Sequence, residues 1–284
     1  MDTTQILNGR TLASEIQQDL RQYIVEHDAT PSLAVVLVGD DPASHLYVSL
    51  KQKAAHKVGI DVSIYKLPNT SSQEEIIKTI DWLNQDDQID GILVQLPLPD
   101  GIDENEVIDK IDPGKDADGF HPKNLEKLYD NSTDLRPAPA EAVVRLIVSS
   151  ELFRANSTAV VIANHDIFYK PIKHALDEYH CDTHFVGPDE KENLYELLTK
   201  ADIVVVAVGR ANFITGSYLK EDAIVIDVGT NKKNGKTVGD VDVDSVQNIA
   251  GALSPVPGGV GPMTIACLLQ NVVTLHRIHT GHKE

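Results

Sequence analysis

Apolar residues at Leu12, Ile16, Leu20 and Ile24 recur at helical spacing and predict one stripe of a first helix. The continuous run Leu33 to Val38 then predicts a strand buried on both faces. The pattern keeps alternating. Ser44 to Val58 is helical and stops at Gly59, Val62 to Leu67 is a strand, and Ser72 with Glu75 three residues later forms a capping box for a helix reaching Asn84. Ile89 to Gln95 is the next strand. Strands alternating with helices predict right-handed βαβ units on a mostly parallel sheet.

Periodicity breaks at Asp112 to Pro122, at the polar run Asn131 to Asp134 and at the turn Pro137-Ala138-Pro139, which suggests a domain boundary. It then restarts. Ala159 to Ala163, Thr183 to Val186, Ile203 to Val208 and Ala223 to Val228 read as strands, with helices near Lys170 to Tyr179 and Lys191 to Lys200. The expected fold is therefore α/β with two domains, the second a Rossmann-type parallel sheet. Ser254 to Thr264 carries three glycines and three prolines in eleven residues, the composition of a shaped loop. Ile265 to His279 returns to helical spacing, so the loop delivers a helix N-terminus with Thr264 near its start. Periodicity leaves open which domain that helix joins. The expected division is 1–139 with the terminal helix 265–284, and 140–264.

Composition narrows the function classes. A formal net charge of -18 over 284 residues argues against nonspecific nucleic-acid binding, which needs clustered cations. Cys181 and Cys267 stand far apart without ligand spacing, and the eleven histidines form no zinc-binding pair, so no metal site is expected and a reducing compartment is. Met1 to Arg10 lacks a signal pattern and the longest apolar run, Ile203 to Val208, is too short to cross a bilayer. A cytoplasmic protein with no membrane partner is the simplest expectation.

Candidate chemistry begins on the second predicted helix. Tyr47 and Lys51 lie four apart and project from one face, a spacing equally compatible with a solvated lysine stem on a surface tyrosine. Gln95 ends a buried strand before Leu96-Pro97-Leu98-Pro99, at the carboxyl end where open α/β sheets bind ligands. The loop Asp116 to Pro122 adds the carboxylate of Asp118, which alone could be a turn cap.

Taken together, YVSLKQK, GILVQLPLP, KDADGFHP, ADIVVVAVG, IVIDVGTN and SPVPGGVGPMT resemble the bifunctional methylenetetrahydrofolate dehydrogenase/methenyltetrahydrofolate cyclohydrolase family over nearly the whole chain. The resemblance implies a folate cleft between the domains, with substrate against Tyr47, Lys51 at the one-carbon bridge and Gln95 fixing the amine. It also implies that Asp118 holds the pterin while Pro257, Gly258 and Gly259 close over the substrate. A homodimer, tetrahydrofolate derivatives as ligands, and NADP or NAD as cofactor are implied as well.

Departures concentrate on the nucleotide side. The family's turn after the first strand of the second domain is similar to Gly-(Arg or Ala)-Ser-x-x-Val-Gly-(Lys or Arg)-Pro, whereas this chain reads Ala163-Asn164-His165-Asp166-Ile167-Phe168-Tyr169-Lys170-Pro171. Asn164, His165, Asp166 and Thr230 are the positions expected at the cofactor. Phe168-Tyr169 is expected to fill the space of the lost glycines, and Asp166 to cap the helix and oppose a phosphate. Gly187-Pro188-Asp189-Glu190 puts acids where relatives carry groups for a 2′-phosphate, which disfavours NADP. Pro137-Ala138-Pro139-Ala140 replaces the family's Pro-Cys-Thr-Pro, removing a hydroxyl. The resulting expectation is retained hydrolysis of 5,10-methenyltetrahydrofolate with weak, altered or absent dehydrogenation. The alternatives are a fully bifunctional enzyme, NAD-dependent in one version, and a noncatalytic folate-binding paralogue.

Overall fold

A computed structural model describes residues 4–281. In chain order the elements are β1 (Gln5–Ile6), α1 (Gly9–Glu26), β2 (Ser32–Val38), α2 (Pro42–Val58), β3 (Asp61–Leu67), α3 (Gln73–Asn84) and β4 (Gly91–Val94). Then come α4 (Glu104–Ile108), α5 (Pro122–Tyr129), α6 (Ala138–Val148), β5 (Thr158–Ala163), α7 (Asp166–Asp177), β6 (Asp182–Val186), α8 (Lys191–Leu198) and β7 (Ile203–Ala207). The chain ends with β8 (Ile224–Asp227), the hairpin β9 (Asn231–Lys233) and β10 (Lys236–Val238), α9 (Val243–Val246), β11 (Ala252–Leu253) and α10 (Val260–Thr280). Of the terminal helix expected over 265–284, positions 282–284 lie outside the described residues, as do positions 1–3 of the stretch read for a signal.

Contacts divide the chain into two compact units. One comprises Ser14–Ala138 and the residues from Ile265 onward. Its parallel sheet has the order β3-β2-β4. Central β2 is almost wholly buried, which explains its unbroken apolar run, while edge strand β3 alternates between exposed and half-buried positions. Ile76, Ile80 and Leu83 of α3 pack with Val36 and Ile92 in one core. The capping box of α3 forms as its sequence predicts. From α10, Asn271 Nδ2 donates to the Ala117 and Arg136 carbonyls at 3.0 and 2.9 Å, tying the Asp116 loop to this helix.

The other unit comprises Pro139–Thr264 and the residues up to Ala13. Its six-stranded parallel sheet has the order β1-β11-β8-β7-β5-β6. Because β6 lies on one side of β5 and β7 on the other, the order reverses at β5. That reversal is the topological switch point, where a Rossmann-type sheet opens a crevice at the carboxyl ends of its strands.

Several boundaries differ from the expectation. The Pro137 to Pro139 turn already enters α6 at Ala138, since proline fits the first turn of a helix. Helix α10 starts at Val260 rather than near Thr264, for the same reason at Pro262, and Thr264 Oγ1 instead bonds the Val260 carbonyl at 3.1 Å. The expected helix start near Lys170 moves to Asp166, with Pro171 inside α7.

Candidate active site

Helix α2 is fixed at both ends before it presents any chemistry. Asp41 accepts from the Ser44 N–H at 2.8 Å, Pro42 occupies the first turn, and Gly59 closes the C-terminus with φ of 99°. Tyr47 and Lys51 are both half-buried on this helix. The Lys51 Nζ donates to Gln95 Oε1 at 2.9 Å. Gln95, buried at the end of β4, continues the ladder through its own N–H to the Val36 carbonyl, 2.9 Å away. Its Nε2 donates to the Leu96 carbonyl at 2.6 Å, so the amide oxygen is the end left to face the amine.

Asp118 arrives by a different route. The loop after α4 adds to the free edge of β4, with the Ala117 N–H bonded to the Ile92 carbonyl at 3.2 Å. Buried Asp116 then shapes the turn, accepting from the N–H groups of Gly119 and His121 at 3.0 and 2.8 Å and from Asn124 Nδ2 at 3.1 Å. Gly119 has φ of 82°, and a Cβ there would sit 2.8 Å from the Arg136 carbonyl oxygen. Asp116 is thus the structural acid of the loop and leaves Asp118 to the site. Burial pushes the Lys51 amine below the usual lysine range, opposed by the Asp118 carboxylate. Burial likewise raises Asp118, opposed by Lys51 and reinforced by Asp116. Both shifts favour the neutral form of each group.

Lys51, Gln95 and Asp118 therefore share one unit and one local field. Pro257, Gly258 and Gly259 belong to the other unit. There the Gly259 N–H bonds the Pro255 carbonyl at 2.7 Å, and Gly258 has φ of 122°. Sequence reasoning missed what lies beneath this loop. A Cβ on Gly9 would sit 1.9 Å from the Gly259 carbonyl oxygen, so the start of α1 and the loop are in backbone contact.

At the switch point, Asn164, His165 and Asp166 follow β5, and Asn164 Nδ2 donates to the Val208 carbonyl beyond β7 at 3.3 Å. Two expectations are corrected here. Tyr169 does not fill the turn: its hydroxyl donates to the Thr183 carbonyl at 2.8 Å and its ring lies 5.5 Å from Phe185, both on β6. Nor does Asp166 hold the cap position of α7, although its carboxylate accepts from its own N–H in the first turn. His165 holds the cap position without a side-chain bond, and Asp166 pairs with Lys170 at 2.6 Å, which lowers its pKa. The His165 side chain thus leaves the first turn of α7 without a cap, and the acid in that turn is paired with Lys170. Exposed Thr230 follows β8. Behind these loops, Asp240 accepts from the Val208 and Gly209 N–H groups at 2.7 and 2.9 Å and from Asn231 Nδ2 at 2.8 Å. Among the described residues no cluster of three His, Cys, Asp or Glu side chains could hold a metal, and no helix is long and apolar enough to cross a membrane.

A parallel α/β sheet whose strand order reverses at β5, and a desolvated lysine held by a neutral amide, define an enzyme of the dinucleotide-binding α/β class. Two family profiles match the chain. That of the tetrahydrofolate dehydrogenase/cyclohydrolase catalytic domain covers residues 7–118, and that of the tetrahydrofolate dehydrogenase/cyclohydrolase NAD(P)-binding domain covers residues 137–280. The chain belongs to this family, whose chemistry is folate one-carbon interconversion. The Bifunctional protein FolD of Methanospirillum hungatei is 44% identical over 278 residues, 98% of this chain and 99% of the relative. The FolD crystal structure from Campylobacter jejuni aligns with a TM-score of 0.89 at 36% identity, covering 97% of this chain and 99% of the other. The Trypanosoma brucei dehydrogenase-cyclohydrolase, solved with NADP and an inhibitor, aligns with a TM-score of 0.93 at 31% identity over all of both chains. The expectation that dehydrogenation is weak or absent is not borne out, since the NAD(P)-binding profile spans the altered turn and the relatives are named bifunctional.

Proposed function

We propose that the chain catalyses both family reactions, with Ser14–Ala138 and the residues from Ile265 onward binding folate and Pro139–Thr264 binding the dinucleotide. When bound, the dinucleotide accepts a hydride from the bridge of 5,10-methylenetetrahydrofolate. Asn164, His165, Asp166 and Thr230 would hold it, supported by the uncapped start of α7 and the reversal of strand order at β5.

The methenyl product carries a cationic bridge that water attacks. Lys51, favoured as the free amine, takes a proton from that water as the new C–O bond forms. The resulting ammonium returns the proton to N5 as the C–N5 bond breaks, and the hydroxyl proton leaves to solvent, giving 10-formyltetrahydrofolate. Gln95 aims the amine without adding charge, whereas an acid there would favour the ammonium. Asp118 accepts from the adjacent N–H donors of the pterin, and Tyr47 stacks on the substrate. The family resemblance supports a homodimer, and two buried cysteines that form no disulfide, Cys181 and Cys267, are consistent with a reducing cytoplasm.

The 2.9 Å bond from Lys51 to an oriented Gln95 carries this reading. In paired assays, Lys51→Met is expected to lose methenyl hydrolysis by at least about 100-fold while folate binding persists. Unchanged hydrolysis would remove Lys51 from the mechanism, and folate binding without hydrolysis in the unmodified protein would favour a noncatalytic paralogue.

A further inference from the structure

Two loops meet across the end of β5. Asp189 lies in the loop after β6, which is closed by the Gly187 N–H donating to Glu190 Oε1 at 2.9 Å. Arg210 follows β7, directly after the Val208 and Gly209 amides held by Asp240. Its Nη1 and Nη2 donate to Asp189 Oδ1 and Oδ2 at 2.8 and 3.2 Å, and its guanidinium lies 5.7 Å from the Phe213 ring centroid. Since β6 and β7 flank β5, this two-pronged pair bridges the switch point from both sides.

NAD and NADP differ there by a single group. A free ribose presents two hydroxyl donors, for which a carboxylate after the second strand is the natural acceptor, whereas a 2′-phosphate is repelled by that carboxylate and needs a cation. Arg210 is a suitable cation, yet both of its terminal nitrogens are engaged by Asp189.

We propose that Asp189 selects NAD over NADP by two linked effects: it accepts from the adenosine ribose diol, and it holds Arg210 away from any 2′-phosphate. This rests on the reading of the unit as a dinucleotide-binding dehydrogenase. The acid alone gives only repulsion. The pair adds that removing the acid releases a phosphate-binding cation already in place.

Dehydrogenase kcat/KM and calorimetric Kd for NAD and NADP are to be compared in the unmodified chain, Asp189→Ser and Asp189→Ser/Arg210→Ala, with methenyl hydrolysis as the control for folding. The unmodified chain is expected to favour NAD by at least about tenfold, an energy near that of one charged contact. Asp189→Ser is expected to raise NADP kcat/KM at least about tenfold and weaken NAD, and the added Arg210→Ala to abolish the NADP gain. Preference for NADP in the unmodified chain, an unchanged ratio in Asp189→Ser, or a gain that survives loss of Arg210 would overturn the proposal. NAD-selective binding without hydride transfer would overturn the dehydrogenase reading and leave the selector standing, while binding of neither nucleotide overturns both.

Discussion

A glutamine can turn either end of its amide toward a lysine, and at position 95 the backbone makes the choice. The bond from Nε2 to the Leu96 carbonyl leaves Oε1 for the Lys51 amine, so Gln95 orients Nζ without contributing a formal charge. A carboxylate in its place would stabilise the ammonium and oppose the desolvation that lowers Lys51. Because the free amine is the competent form, hydrolysis should rise with pH through the Lys51 titration. Gln95→Glu is expected to move that rising limb toward alkaline pH by about one to two units. A pH profile of kcat/KM measures it, and an unshifted limb would mean that another group controls the rate. The direction of this pair was legible in the sequence through Tyr47, Lys51 and the strand ending at Gln95. The role of Asp116 was not, since nothing local distinguishes a buried acid accepting three bonds from the neighbouring Asp118.

Elements show the same division between what neighbours in sequence can reveal and what only packing can. Strands β2, β5, β7 and β8 carry continuous apolar runs, with a polar residue only at an end (Ser32, Thr158, Asp227), because parallel strands are buried on both faces, so they stand out in the chain. Strands β1 and β11 are two residues each, and neither has a period. They exist through pairing, β11 with β8 and β1 with β11, where the Gln5 and Leu7 N–H groups bond the Gly251 and Leu253 carbonyls at 2.8 and 2.9 Å. This pairing brings Gly9 under the loop that follows β11. Nothing in the sequence near Gly9 signals an approach to Gly259, hundreds of positions away. A methyl group 1.9 Å from a carbonyl oxygen cannot be accommodated without moving backbone. Gly9→Ala is therefore expected to lower stability by about 1–3 kcal/mol in urea denaturation, and a midpoint equal to the unmodified chain's would show the contact to be pliable.

The response of the whole molecule to pH sums opposing carboxylates that act in separate windows. Asp41, Glu74, Asp166, Glu196 and Asp202 have lowered values in the fold, so their contributions are present above the ordinary carboxylate range and are lost as pH falls through it. Four of the five are fully exposed, which keeps their weight small. Asp227 acts in the opposite direction. Burial raises it from 3.8 to about 6, although the N–H groups of Gly229, Asp240 and Val241 all donate to it at 2.9 Å. Between those two values the folded chain holds a proton that the unfolded chain has released, so stability falls as pH rises through this interval. The loss amounts to about 3 kcal/mol if Asp227 acts alone. Asp227→Asn cannot titrate, and its amide nitrogen would face one of the three donors, so the variant is less stable throughout. Its deficit relative to the unmodified chain is expected to be larger at pH 4 than at pH 7, because only the unmodified chain weakens across that range. Urea midpoints at both pH values decide the matter. A deficit that grows toward pH 7 would instead mean that the three backbone donors hold Asp227 ionised and outweigh its burial.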